Sequence, residues 1–150
     1  MASPMPMGAL RAGTHVFPVR VYYEDTDAAG IVYHANYLRF AERARSEMMR
    51  LLGVESSTLM AREGVLFAVS RCTVDFLRPA RLDDALEVHT RVIEVKRASL
   101  DAEQVVKREG ALVARLALRL AAIDAGGRPV RLPVEVRKLL TKLSQSESHS

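Results

Sequence analysis

One long helical repeat, followed by four segments with a β-type repeat, constrains the fold of this chain most strongly. Apolar residues recur at helical spacing between Asn36, a predicted N-cap, and Gly53, which is the residue type that most often ends a helix. This pattern predicts a helix of about sixteen residues, roughly 24 Å long. A second, shorter helix is predicted over residues 56–63, because Gly64 follows it as a stop.

Much of the remaining chain alternates polar and apolar residues as β-strands do. A first strand is predicted over residues 16–24. The last repeat is rich in Ala and Leu, but the Glu109-Gly110 turn before it favours a hairpin. The closing stretch, residues 133–143, is interpreted as a strand end followed by a helical turn. The four further strands are predicted in LFAVSRCTVDF, ALEVHTRVIEVKR, SLDAEQVVKRE and ALVARLALRLAAI.

One long helix and five antiparallel strands predict an α+β fold in which the sheet wraps around the helix. Residues 15–143 are expected to form one domain, because 49% of the chain is apolar and 150 residues suit a single core. Residues 1–14 and 144–150 are predicted to be flexible ends. A sheet covered on one face favours a homodimer or homotetramer, with a site at the subunit boundary.

Composition narrows the class of protein. Cys72 is the only cysteine, which excludes an internal disulfide and fits a reducing, cytoplasmic location. Within a predicted strand, we interpret it as a buried small apolar residue rather than a nucleophile. Arg115 and Arg119 interrupt the most apolar stretch, so no membrane span is predicted, and the N-terminus lacks a signal-peptide core. The net charge of +4 is scattered along the chain, which disfavours nucleic acid as a partner.

The junction between the first strand and the long helix carries the candidate chemistry. Three acidic residues, Gly30 and His34 lie there, and the first turn of a helix offers unpaired N–H groups that stabilise an oxyanion. Asp27 is placed beside that turn, where it either reacts or merely caps the loop. Glu24 and Asp25 are expected not to react, since adjacent like charges do not all ionise cheaply, and one of them is expected to face solvent or to cap the backbone.

Two quoted segments resemble a known family. From Asp25 to Tyr37 the chain follows D-x-D-x-x-G-x-V-Y-H-x-x-Y without a break, and VDFLRPARLDD follows at residues 74–84. Both resemble the hotdog-fold acyl-CoA thioesterases of the 4-hydroxybenzoyl-CoA thioesterase family, over about residues 16–140. Within that family, the chain is most similar to the YbgC-like branch that is associated with the Tol-Pal system.

The resemblance implies an acyl-CoA thioesterase with a hotdog fold and no cofactor beyond its coenzyme A substrate. It implies that Asp27 is the catalytic carboxylate, acting as nucleophile or as general base. His34 is placed where a backbone N–H polarises the thioester oxygen, although a purely structural hydrogen bond would also explain it. Tyr23 lies near the catalytic acid or is a packed aromatic, while Gly30 and Val32 would contact substrate. For Gly30, turn geometry alone is an equal explanation.

Coenzyme A carries phosphates, which basic side chains bind. Arg78, Lys96 and Arg97 lie at predicted strand ends or turns, and we expect the last two to be the better candidates. Solvated charges at hairpins are the ordinary alternative for each. Glu42 and Glu47 are interpreted as solvated helix residues, although a related hotdog branch uses a glutamate on its helix.

Other functions remain open from the residues alone. A metal hydrolase using Asp25, Asp27 and His34 lacks the usual ligand set for zinc, so no metal site is predicted. No G-x-S-x-G motif supports a serine hydrolase. A hotdog dehydratase is disfavoured because the resemblance includes the thioesterase loop. The main alternative is a noncatalytic module linked to the cell envelope that binds acyl-CoA or acyl carrier protein.

Overall fold

The computed structural model describes residues 7–146. A short 3-10 turn, Tyr23–Asp25, follows the second strand. The regular elements, in chain order, are β1 (Ala9–Arg11), β2 (Thr14–Arg20), α1 (Asn36–Leu51), α2 (Ser56–Glu63), β3 (Leu66–Phe76), β4 (Ala85–Val95), β5 (Ser99–Arg108), β6 (Ala111–Ile123) and α3 (Val134–Ser146).

The strands form one antiparallel sheet of six, in the order β1-β2-β4-β5-β6-β3. The predicted α+β class is confirmed, but the predicted count of five strands is wrong. The additional strand is β1, which lies within the segment predicted to be flexible. It pairs with β2 through a tight turn in which Ala12 and Gly13 both have positive φ, a geometry that returns the chain on itself within two residues.

Helix α1 lies against the sheet and supplies its central packing. Phe40, Ala41 and Ala44 are fully buried among inward-facing residues of β4 and β6, such as Val88 and Leu116. The small alanines let the helix approach the sheet closely, so the predicted helix of sixteen residues is confirmed together with its buried stripe.

Two local predictions are wrong because long-range contacts decided the backbone. The first strand ends at Arg20 rather than residue 24, since the chain there turns into the 3-10 turn. In residues 133–143 the predicted strand end is wrong, and the predicted helical turn is part of the 13-residue helix α3. Its buried residues, Val136, Leu140 and Leu143, join the core around Met48, which a strand of the same sequence would not cover.

The C-terminal tail predicted from residue 144 begins inside α3, and residues 147–150 lie outside the described residues, as do residues 1–6 of the predicted N-terminal segment. In the part of the chain that the structure describes, every helix is too short or too polar to cross a membrane.

Strand β3 forms one edge of the sheet, and its inward face is covered only in part. Val74 and Phe67 on that face pack against the core. Phe76 and Val69 on that face are 53% and 46% exposed. Cys72 lies between them and is exposed, so the prediction that it is buried is wrong. The reason is the position of β3 at the edge, where the apolar face lacks a neighbour on one side.

Candidate active site

The loop between β2 and α1 is a closed turn built around Asp27. The backbone N–H of Asp27 donates to the Ile31 carbonyl at 2.9 Å, and the N–H of Gly30 donates to the Asp27 carbonyl at 3.0 Å. Gly30 has φ of +79°, and a Cβ there would meet no atom within 4 Å. Within this chain, glycine is therefore needed at this position for its left-handed backbone and not to make room for a neighbouring atom.

The carboxylate of Asp27 is exposed at the tip of this turn. Its Oδ1 accepts a hydrogen bond from the N–H of Ala29 at 2.8 Å, which holds the side chain in one orientation. Within the described residues, Oδ2 has no protein donor. The side chain is thus both oriented by the turn and available to an incoming group, so capping and reactivity are compatible.

Asp25, two residues earlier, has the opposite environment. It is 9% exposed, and both of its oxygens accept hydrogen bonds: Oδ2 from the N–H of Tyr22 at 2.8 Å and Oδ1 from Nδ2 of Asn36 at 2.9 Å. Glu24 is exposed. The sequence predicts that one of these two acids faces solvent or caps the backbone: Asp25 caps the backbone of Tyr22, and its carboxylate is buried with both oxygens hydrogen-bonded.

The start of α1 lies directly after the loop, and its side-chain cap is missing. The N-cap residue is Ala35, and no side chain caps the helix, so the prediction that Asn36 is the N-cap is wrong. Asn36 is the first helical residue, and its side chain turns to Asp25 instead. In the described chain the N–H of His34 donates to no backbone carbonyl. The N–H groups of Asn36 and Leu38 donate to backbone carbonyls, so the N–H that this helix start offers to a ligand is that of His34.

A small aromatic cavity of about 260 Å³ opens beside this helix start. The ring of His34 lies 4.4 Å from that of Tyr33 and 6.2 Å from that of Phe76, and Tyr37 lies 5.7 Å from Phe76. Three residues predicted for the site line this cavity: Val32, His34 and Arg78. The other lining residues are Ile31, Tyr37, Phe76, Leu77 and Pro79.

Tyr37 and Phe76 were missed as site residues by the sequence reasoning. Tyr37 is the last residue of the quoted pattern, which was a usable signal, but Phe76 reaches the cavity only through the pairing of β3 with β6. Burial raises the pKa of Tyr37, an effect that its contact with the Ala80 backbone partly opposes. Its hydroxyl is therefore neutral near pH 7 and serves as a packed wall of the cavity.

Tyr23 lies on the 3-10 turn and is 82% exposed, so its interpretation as a packed aromatic is wrong. Its carbonyl accepts a hydrogen bond from the hydroxyl of Thr26 at 2.9 Å, just before Asp27. Arg78 lines the aromatic cavity while its Nη1 donates to the Leu112 carbonyl at 2.7 Å. The charge of Arg78 is therefore anchored beside the candidate site.

Lys96 and Arg97 lie at the opposite end of the sheet from Asp27, because β4 runs from Ala85 near the loop to Val95 before them. Nζ of Lys96 is 3.6 Å from Oδ2 of Asp101. One chain therefore does not bring Lys96 and Arg97 together with the loop.

Arg97 lines a groove of about 610 Å³ that is bounded by α3 and residues 131–134, and we name it the basic groove. Lys138 in it lies 3.9 Å from Glu135. The cations that line the basic groove are Arg97, Arg131, Arg137, Lys138 and Lys142.

The two helix glutamates differ. Glu42 is exposed, as predicted, whereas Glu47 is partly buried and forms an ion pair with Arg50. One oxygen of Glu47 is buried without a hydrogen-bond partner in the described residues. Among those residues, no group of three His, Cys, Asp or Glu side chains is placed to hold a metal ion.

Comparison with known proteins identifies the family. A family model described as the thioesterase-like superfamily matches residues 21–140. The acyl-CoA thioesterase YbgC of Haemophilus influenzae is 45% identical over 122 residues, which cover 81% of this chain and 90% of that protein. The chain belongs to the thioesterase-like superfamily. The predicted resemblance to hotdog-fold thioesterases of the YbgC-like branch is confirmed, and so is the prediction that the chain is an enzyme.

Solved structures of the superfamily share the fold. A probable thioesterase from Bartonella henselae superposes with a TM-score of 0.78 at 37% identity, covering 80% of this chain and 99% of that one. A DHNA-CoA thioesterase from Staphylococcus aureus gives a TM-score of 0.83 at 21% identity, covering 91% and 95%. At that identity the second likeness supports the fold alone.

Proposed function

We propose that this thioesterase hydrolyses acyl-CoA to a free acid and coenzyme A, with Asp27 as the catalytic residue. The observation that carries the proposal is the oriented, exposed carboxylate of Asp27 on a glycine turn next to the uncapped start of α1. A nucleophile or base beside unpaired N–H groups is the arrangement that thioester hydrolysis needs. Similarity to relatives named as acyl-CoA thioesterases supports coenzyme A as the thiol.

Two routes use the same residues. In the first, a carboxylate oxygen of Asp27 attacks the thioester carbon, the C–S bond breaks, the thiolate takes a proton, and water then hydrolyses the mixed anhydride. In the second, Asp27 takes a proton from water, the resulting hydroxide attacks the thioester carbon, the C–S bond breaks, and Asp27 passes the proton to the leaving thiolate. In both routes the backbone N–H of His34 stabilises the oxyanion, which is worth about 3 kcal/mol in comparable sites.

The acyl group is proposed to enter the aromatic cavity, where Phe76 and Tyr37 supply apolar contact. Phe76 is 53% exposed in one chain, so the cavity is open on the side of β3. We propose that a second copy closes it. An edge strand of 11 residues with an exposed apolar face favours pairing with an identical strand about a twofold axis.

The same dimer would bring the predicted coenzyme A contacts to the site. If the two β3 strands pair antiparallel, the end of the second sheet that carries Lys96 and Arg97 lies on the same side as Asp27 of the first chain. Lys96 and Arg97 of the second copy would then bind phosphates of coenzyme A, while Arg78 contributes from the first chain.

The basic groove favours a second form of substrate, an acyl group carried on an acidic carrier protein. Among residues 7–146, no aromatic side chain lines this groove, so it offers positive charge but no ring on which a nucleotide base could stack. Its cations on α3 recur at helical spacing, which suits an acidic helix of a carrier protein. Acyl carrier protein is therefore proposed as an alternative thiol donor to coenzyme A.

Thiol release from a panel of acyl-CoAs, and from the matching acyl carrier proteins, tests these proposals. We expect Asp27→Asn to lose at least about a hundredfold in rate, because the change removes the base or nucleophile. His34→Ala is expected to keep part of its activity, since the backbone N–H remains. If Asp27→Asn keeps the wild-type rate, the assignment of Asp27 is wrong.

Asp124→Asn is the matched control for Asp27→Asn. Asp124 also accepts from a backbone N–H two residues later, that of Gly126 at 2.9 Å, but it lies in the turn after β6. We expect it to retain the wild-type rate. If neither wild type nor the control releases thiol from any substrate while both bind acyl-CoA, the chain is a binding module rather than a hydrolase.

A further inference from the structure

The buried carboxylate of Asp25 joins the two ends of the catalytic loop. Tyr22, which donates its N–H to Oδ2 at 2.8 Å, precedes the loop, and Asn36, which donates Nδ2 to Oδ1 at 2.9 Å, is the first residue of α1 after it. The Asp25 carbonyl also accepts from the N–H of Tyr33 at 2.9 Å. One buried residue therefore contacts both arms of the segment that carries Asp27.

The side chain of Asn36 makes this contact where a conventional cap is missing. Asparagine is among the best residues for capping a helix N-terminus, a role worth about 1 kcal/mol. Here the amide of Asn36 points to Asp25, Ala35 occupies the N-cap position, and the first turn of α1 has no acidic residue. The N–H groups of Asn36 and Leu38 donate to backbone carbonyls, whereas the N–H of His34, just before the helix, donates to no backbone carbonyl in the described chain and is left to a ligand.

We propose that Asp25 and Asn36 are positioning residues whose hydrogen bond fixes the Asp27 carboxylate relative to the N–H of His34 at the start of α1. This inference rests on the proposed role of Asp27. The reaction needs the carboxylate and the oxyanion donors at one substrate carbon at the same time, and a shift of about 1 Å in such an arrangement costs on the order of a hundredfold in rate.

Three variants test the hydrogen bond between Asp25 and Asn36 by changing which side chain donates and which accepts. Asp25→Asn leaves one acceptor oxygen for two donors, the N–H of Tyr22 and Nδ2 of Asn36, so one of these donors meets the new amide nitrogen. Asn36→Asp places two carboxylates against each other. The double variant Asp25→Asn/Asn36→Asp restores one donor and one acceptor in reversed order, and its carboxylate lies at the favourable end of the helix dipole. We expect each single variant to lose at least about tenfold in kcat with KM within about threefold of wild type, and the double variant to recover most of the loss.

All assays are run about 20 °C below the lowest Tm of the set, so that each variant is folded. If a single variant is too unstable to assay, the double variant still tests the hydrogen bond in a folded protein. Asp124→Ala is the matched control, because Oδ1 of Asp124 accepts from the N–H groups of Gly126 and Arg128, both at 2.9 Å, far from the loop. We expect it to lower Tm and leave kcat unchanged, which separates positioning from stability.

The contrary results are distinct from a failure of the proposed function. If Asp25→Asn keeps the wild-type kcat, or if the double variant is no faster than the single variants, the positioning role is overturned. Asp27→Asn is measured in the same series. If Asp27→Asn loses activity and Asp25→Asn does not, only the positioning role of Asp25 and Asn36 is overturned. If Asp27→Asn keeps full activity, the catalytic assignment of Asp27, on which that positioning role depends, is overturned.

Discussion

Strands β6 and β3 pair side by side and carry the same apolar pattern on the face toward α1, yet their burial differs. On β6, Leu116 and Leu118 are 0% and 5% exposed. The residues directly opposite them on β3, Val74 and Cys72, are partly buried and exposed. Strand β6 has a neighbour on each side, whereas β3 has only β6 in the described chain.

This difference shows that an amphipathic pattern specifies which face of a strand is apolar but not whether the face is covered. Coverage depends on the number of neighbours, and one chain supplies too few for β3. The proposed second copy would supply the missing neighbour. The following experiments test whether the two strands differ as this account requires.

The largest expected effect comes from removing a buried side chain of β6. Leu116→Ala is expected to lower the free energy of unfolding by about 3 kcal/mol, because it leaves a cavity that the surrounding side chains fill only in part. Urea unfolding measures this loss. Val69→Ala on β3 is the contrast, and we expect it to cost less than about 1 kcal/mol at concentrations where the protein is monomeric. Equal losses would mean that one chain covers β3 as well as it covers β6.

An intermediate effect is expected on assembly. Cys72→Arg places a charge on the inward face of β3, near Arg45, whose charge already acts on the Cys72 thiol. We expect at least about a tenfold weaker dimer, since an unpaired charge in an interface is costly. Light scattering across a dilution series measures it. Ala117→Arg, on the exposed outward face of β6, is the control and should not alter assembly. An unchanged dimer in Cys72→Arg would exclude β3 as the interface.

The smallest effect concerns Asp101 on the outward face of β5. A hydrogen bond from Arg119 on β6 lowers the pKa of Asp101. Burial raises this pKa in opposition, and the charge of Lys96 lowers it further. Because the folded pKa lies below the unfolded value, the stabilisation is present above about pH 3.9 and is lost as the pH falls through the folded pKa.

Asp101→Asn should therefore lower Tm at neutral pH by about 1 to 3 °C and leave it unchanged near pH 2. Thermal unfolding at the two pH values measures the difference. Glu63→Gln is the control and should not lower Tm at either pH, because Glu63 is exposed at the C-terminal end of α2, which does not favour a negative charge. A loss of Tm that is equal at both pH values would contradict an electrostatic origin.

The elements with a strong local repeat were predictable. Helix α1 and strands β3 to β6 match their predicted positions closely, since each repeat spans ten or more residues. The elements that the sequence did not predict are those whose backbone conformation depends on contacts with distant parts of the chain. Strand β1 has three residues and exists through its pairing with β2. For α3 the sequence predicted only a helical turn after a strand end, because the burial of this helix against Met48 has no local signature.

The sequence by itself determined that a short acidic loop, a glycine and a long helix follow one another, because local repeats and turn residues act over a few positions. Only the tertiary structure decided which aspartate is exposed. Asp25 is buried because Asn36, eleven residues away, binds its carboxylate, while Asp27 projects from the turn. Burial is set by contacts between segments, which spacing along the chain does not encode.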